Sequence, residues 1–228
     1  NSDLIGTIDY GGTAIAATAS GTYVITPSGL TSDNYSIVYE DGELSITQRD
    51  ISEASIAAIA DLVYTGSAQT VSPEVTFNSL NLVEDTDYTT SFEGNTNAGT
   101  ATITLTGIGN YTGTKEQAFT ITSKTLTITA VDKTKTYDGS AFPQANYSVT
   151  YDGFVVGEDK DNSDLIGTID YGGTAIAATA SGTYVITPSG LTSDDYSIAF
   201  EDGELSITQR DIDEASIASI ANLVYTGS

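Results

Sequence analysis

The stretch EDKDNSD at residues 158–164 places Glu158, Asp159, Asp161, Asn162 and Asp164 within seven positions of a turn-rich loop. Calcium takes about six to eight oxygen ligands from such groups, so Glu158, Asp159, Asp161 and Asp164 are the metal ligands the sequence offers, and calcium is the cofactor it suggests. The loop lacks the glycine and distal glutamate of an EF-hand, and the same residues suit a solvated acidic loop or a helix cap. Glu84, Asp85 and Asp87 are carboxylates that acid/base catalysis would use, but nothing around them marks a pocket that splits their pKa values. The loop GIGNYTG at 107–113 follows a strand pattern, as phosphate loops do. Its spacing is G-x-G-x-x-x-G and another strand pattern follows, so the helix N-terminus that binds pyrophosphate is missing and the loop reads as a strand-to-strand turn. A Lys–Asn isopeptide bond needs an apolar core and a protonated carboxylate. Lys115, Lys124, Lys133 and Lys135 instead sit among threonines and acids on strands of half-exposed pattern. Asn34, Asn110 and Asn146 lie in Asn-x-Ser/Thr sequons that would accept a glycan in a glycosylating host.

Composition narrows the chemistry further. Seven basic residues stand against thirty-one acidic ones in 228, a formal charge of −24 that repels nucleic acid and anionic membrane surfaces. Cysteine, histidine, methionine and tryptophan are absent, which removes disulfides, thiolate and imidazole metal sites and the commonest catalytic base. Apolar runs fall well short of the ~20 residues of a membrane helix, so no membrane insertion is expected. The chain is not read as an enzyme. Its richness in Thr, Gly, Asp and Tyr, with little Lys, matches secreted bacterial repeat proteins.

The elements that would carry these residues are strands. GTATITLTG at 99–107 puts Ala101, Ile103 and Leu105 on one face and four threonines on the other, the pattern of a half-buried strand. AFTIT, TLTITAV, YSVTY and GTYVIT repeat the theme between Gly, Asp, Asn or Ser residues. In NYSIVYEDGELSITQ, Asp41-Gly42 separates two alternating runs, the signal of a type I′ hairpin. That hairpin would set Tyr39 opposite Leu44 and Ile37 opposite Ile46, and likewise Phe200 opposite Leu205 and Ile198 opposite Ile207 about Asp202-Gly203. SIAAIADLVY at 55–64 fits a short helix or a bulged strand equally, and the acidic loop at 157–167 offers caps for one helical turn.

The chain repeats itself. Residues 1–67 recur at 162–228 with six differences, so residue 1 is expected to lie inside a longer array of period 161. One period holds two unlike modules: a complete one at 49–123, a complete one of a second kind at 124–209, the last part of the second kind at 1–48, and the start of another first kind at 210–228. The joints SITQRDIS and TITSKTLTIT contain neither Gly nor Pro and leave few residues between strands, which predicts little hinging. Residues 1–48 lack the 38 residues, 124–161, that lead the complete copy. They should therefore present an open sheet edge, left by the chain boundary or filled by another chain through strand addition.

The 124–209 module resembles the YDG and MBG type repeats of large bacterial surface proteins, through LTIT at 126–129, KTYDG at 135–139 and DYSIAFEDGELSI at 195–207. The 49–123 module resembles a second family of bacterial extracellular repeats, through YTG at 64–66, DYTTSFEGNTNAGTATITLTGIGNYTG at 87–113 and FTI at 119–121. These resemblances imply an all-β chain of small tandem modules, sandwich-like (Ig-like) or β-grasp-like, in a rod. They also imply an extracellular place at the bacterial cell surface, and they carry over no site residues.

The expected function is structural: a stiff stalk or filament of an adhesin or other surface fibre. Its partners would be neighbouring modules, other copies of the chain by strand addition, and a glycan or host-surface ligand. The competing reading is a glycan- or mucin-binding module in which exposed Tyr10, Tyr111 or Tyr171 stacks on sugar.

Overall fold

The computed structural model describes residues 3–212, and these form strands, turns and three short 3-10 segments. No described helix is long and apolar enough to cross a membrane. The chain is all-β and divides into two compact units. Unit 1 comprises Asn1–Val63 and Ser67–Thr122; unit 2 comprises Tyr64–Gly66 and Ser123–Ser228. The expected start of a further module at 210–228 lies, from residue 213 on, outside the described residues.

Unit 1 begins with β1 (Asp9–Gly11), β2 (Gly21–Ser28) and β3 (Gly42–Ile46), an antiparallel sheet in that order. It continues with β4 (Arg49–Asp50), β5 (Ser55–Ile56), β6 (Leu62–Val63), β7 (Val75–Phe77), β8 (Leu80–Asn81), β9 (Tyr88–Glu93), β10 (Gly99–Gly107), β11 (Tyr111–Thr112) and β12 (Thr114–Thr122). The main sheet runs β6-β12-β10-β9, with β5-β7-β8 and the parallel pair β11-β4 beside it. The alternation read in 99–107 places Ala101, Ile103 and Leu105 in the core and their threonines outward. Ile51, Val75, Phe77, Tyr88, Phe119 and Ile121 complete that core. The segment 55–64 is neither helix nor continuous strand: β5 and β6 flank an irregular stretch, each paired to a different sheet.

Unit 2 holds β13 (Lys124–Ala130), β14 (Lys133–Thr136), β15 (Val149–Asp152), β16 (Ile166–Gly172), β17 (Gly182–Thr192), β18 (Tyr196–Glu201) and β19 (Gly203–Thr208). Two sheets, β15-β13-β18 and β14-β19-β17-β16, make a small sandwich. Ala130, Tyr147, Ala175, Ala178, Ile186, Leu205 and Ile207 form one buried cluster, and Leu126 and Ile128 are wholly buried on β13. Apolar side chains on alternate strand positions bury on one side only, which is what two facing sheets require.

The expected hairpin about Asp202-Gly203 does not form. β18 pairs in parallel with β13, β19 pairs with β17 and β14, and the Asp-Gly step carries the chain from one sheet to the other. Phe200 and Ile198 therefore do not face Leu205 and Ile207. Nor does Tyr39 face Leu44 or Ile37 face Ile46, since no strand is assigned at 35–40. Glycine is needed at 203 for space: a Cβ there would stand 2.5 Å from the Ala130 carbonyl oxygen. The loop at 157–165 is a series of turns ending at β16, without a helical turn.

Candidate functional site

Two clusters of polar side chains stand out. The first lies inside unit 1, where the chain leaves β3 for β4. Tyr111 pairs with Arg49 and Thr112 with Asp50 across the parallel β11-β4 pair. Around this pair the Ser20 N–H donates to Asn110 Oδ1 at 2.7 Å, and the Ser20 hydroxyl to the Gly109 carbonyl at 3.1 Å. Gln48 Nε2 donates to the Gly109 and Tyr111 carbonyls at 2.9 and 3.1 Å, and the Arg49 N–H to the Asn110 carbonyl at 2.9 Å. The Arg49 guanidinium lies 4.7 Å over the Phe77 ring, a cation–π contact, and Phe77 meets Tyr111. Asp50 accepts from the Ser52 N–H at 2.9 Å; these bonds hold its carboxyl below the usual carboxylate range. The glycine-rich loop at 107–113 thus presents its backbone carbonyls to Gln48 and Ser20. The sequence marked it as a turn and gave no sign of this partner, because the contact spans some 60 to 90 residues.

The second cluster lies in unit 2. Glu158 accepts from the Tyr64 hydroxyl at 2.6 Å and from the Tyr196 hydroxyl at 2.7 Å, one carboxylate oxygen for each. The Val155 N–H donates to the Tyr196 oxygen at 3.1 Å, and the Tyr64 and Tyr196 rings meet edge to face with centroids 5.5 Å apart. Burial first, then the Glu158 carboxylate, pushes the Tyr196 hydroxyl up to about 12 and Tyr64 upward as well. Gly66 adopts φ +75°, and a Cβ there would meet Val155 Cγ2 at 2.8 Å. Within unit 2 the YTG motif thus supplies a tyrosine for the carboxylate and a glycine for close approach.

The four carboxylates named as calcium ligands go to different partners. Glu158 serves the two tyrosines. Asp159 accepts the Asp161 N–H at 2.8 Å, and Asp161 pairs with Lys160. Asp164 turns the other way, accepting from the Ser193 hydroxyl and from the Asp194 and Asp195 N–H groups at 2.8 and 2.9 Å. Among the described residues no three acidic side chains converge as metal ligands. Glu84, Asp85 and Asp87 hold a turn instead: Glu84 accepts from the Thr90 hydroxyl, and Asp87 from the Val83 N–H at 2.9 Å. Lys115 reaches the Ser52 carbonyl, Lys124 the Phe154 carbonyl, Lys133 the Ser148 hydroxyl and Lys135 Asp138. Of the tyrosines named for sugar stacking, Tyr111 is buried, Tyr171 is half-buried against Tyr147 and Tyr10 is exposed. Tyr111 is thus withdrawn from any platform, because Phe77 and β4 cover it.

A two-sheet β sandwich whose strands at 162–209 repeat the sequence of residues 1–48 is the architecture of a repeat module. The family model of the MBG domain (YGX type) matches residues 1–45 and 126–206, more than half of the chain, and the chain belongs to that family. MBG domains are β-rich, non-catalytic repeat domains often found in surface proteins. Comparison with curated proteins gives no match.

Proposed function

We propose that this chain is a load-bearing repeat segment of a bacterial surface or extracellular fibre, a stalk that spaces an adhesive end from a cell. The observation that carries this reading is the passage from residue 46 to residue 50. Only three residues separate the Ile46 end of β3 from Asp50 in β4, and that passage is pinned by the β4-β11 pairing and the bonds of Ser20, Gln48 and Arg49 to 109–111. Backbone pairing at a joint resists bending better than a flexible linker does, because each bend must break hydrogen bonds. The 161-residue period supplies the length such a stalk needs, and the net charge of −24 keeps it soluble.

Solution scattering of the full chain and of its Gln48→Ala/Asn110→Ala double variant tests the reading. The parent chain should scatter as a stiff particle and the variant as a looser one. Equal, coil-like profiles for both would remove the stalk. A glycan-array hit abolished by Tyr10→Ala would replace the spacer role with a binding one.

A further inference from the structure

A cavity of about 330 Å³ opens in unit 2, lined by Tyr151 of β15 from one sheet and by residues of β16 and β17 from the other. Its apolar lining is Leu165, Ile169 and Leu191. Two glycines shape it. Gly167 holds φ +106°, and a Cβ there would stand 2.3 Å from the Gly190 carbonyl oxygen; Gly190 holds φ +96°, with the Thr168 carbonyl oxygen equally 2.3 Å from its Cβ position. They let β16 and β17 close on each other across a bulge: Gly167 pairs with Leu191 and Asp170 with Ser189, so Thr168 and Ile169 fall outside the register. Both of those residues line the cavity.

The rest of the lining is polar or aromatic. Tyr151 is half-buried, and Phe154 backs its ring with centroids 5.7 Å apart and 31° between the planes. Packing thus holds an aromatic ring in the wall of an open cavity. Lys160 and Asp161 pair with each other, so together they offer N–H donors and a carboxylate acceptor with no net charge. Among the described residues neither the Tyr151 nor the Thr168 hydroxyl has a hydrogen-bond partner, and both are free to meet a ligand.

An apolar floor, one aromatic wall and an uncharged set of donors and acceptors suit an uncharged polyol with an apolar face. A pyranose presents C–H groups to a stacking ring and hydroxyls at its edge. An anion fits worse, because the chain carries −24. A wholly apolar molecule would take water from the Lys160–Asp161 pair and from two hydroxyls and return no hydrogen bond. We propose that this cavity binds a neutral sugar ring, stacked on Tyr151 and hydrogen-bonded by Asp161, Lys160 and the Thr168 hydroxyl. Tyr151 is none of the tyrosines that the sequence singled out for stacking; the meeting of β15, β16 and β17 around one cavity marks it. The site lies within unit 2 and stands whether or not the chain is a stalk.

The probes are glucose, galactose, mannose and N-acetylglucosamine, with N-acetylneuraminic acid as the anionic comparison and cyclohexanol as the apolar one. Each is titrated to about 50 mM into the isotope-labelled full chain while amide and tyrosine-ring NMR shifts are followed. At least one neutral sugar should give saturable shifts centred on 151, 160–161 and 167–169, with a Kd on the order of 1–10 mM. Tyr151→Ala should weaken binding about tenfold or more. Tyr151→Phe and Thr168→Val keep the packing and should each weaken it about two- to tenfold through one lost hydrogen bond, so the test holds even if the alanine variant unfolds. The proposal is overturned if no neutral sugar gives saturable shifts, or if the shifts centre on Tyr10 or Tyr171. It is equally overturned if N-acetylneuraminic acid or cyclohexanol binds as tightly as the best neutral sugar, or if Tyr151→Phe and Thr168→Val both bind like the parent.

Discussion

Residues 14–46 and 175–207 are the same sequence but for three side chains, and only one of the two has a core. Ala175, Ala178, Ile186, Pro188, Tyr196, Leu205 and Ile207 are buried, while no described residue of 3–48 is. The strand alternation is present in both, so pattern alone does not bury a side chain. The added strands do: β13 and β15 of the facing sheet, and β14 along the edge of β19, come from 124–152 and cover the later copy. An apolar face is stabilised in proportion to the area it removes from water, and half a sandwich removes little.

The largest effect should come from the core leucine. Leu205→Ala should lower the stability of unit 2 by about 2–5 kcal/mol, through lost burial and the cavity left behind. Leu44→Ala should cost less, below about 2 kcal/mol, because that side chain is only partly buried and packs in a single sheet. Urea titration with hydrogen exchange resolved by region reads both, and equal losses would break the comparison.

Alkali comes next. Tyr196 has a folded pKa raised to about 12 from the ordinary value near 10, so the folded state holds its proton longer than the unfolded chain. That stability is whole below pH ~10 and declines as pH rises toward ~12. Tyr64 shifts in the same direction and adds to the decline. The double variant Tyr64→Phe/Tyr196→Phe should flatten it, as tyrosinate absorbance and unfolding measured against pH will show.

Gly203→Ala should destabilise unit 2 by about 1–3 kcal/mol, since neither the Ala130 carbonyl nor its strand is free to move aside. Gly42→Ala should leave unit 1 unchanged, and matched melts of the two variants settle it. The smallest effect reverses the order of the copies. Ser20→Ala removes the bond to the Gly109 carbonyl and should cost about 0.5–1.5 kcal/mol, and Ser181→Ala should be silent by the same measurement.

Much of this was legible in the sequence. The strand at 99–107, the all-β class and the period followed from alternation and self-similarity, which are local or arithmetical properties. The Asp-Gly hairpin misled because glycine serves two needs, a positive φ and close approach, and the letters do not say which; at 203 it is the approach of Ala130. The acidic loop reads differently in sequence and in space. Proximity in sequence suggested one centre, but Glu158 turns to Tyr64 and Tyr196 while Asp164 turns to 193–195.

By itself the sequence determined which residues extend and that the chain is built from repeated β modules, because these depend on the two-residue period of a strand and on self-similarity. Tertiary structure alone decided which tyrosines share a carboxylate and what the 107–113 loop grips. Each of those depends on a partner contributed by residues tens of positions away, and no local pattern encodes the identity of a distant neighbour.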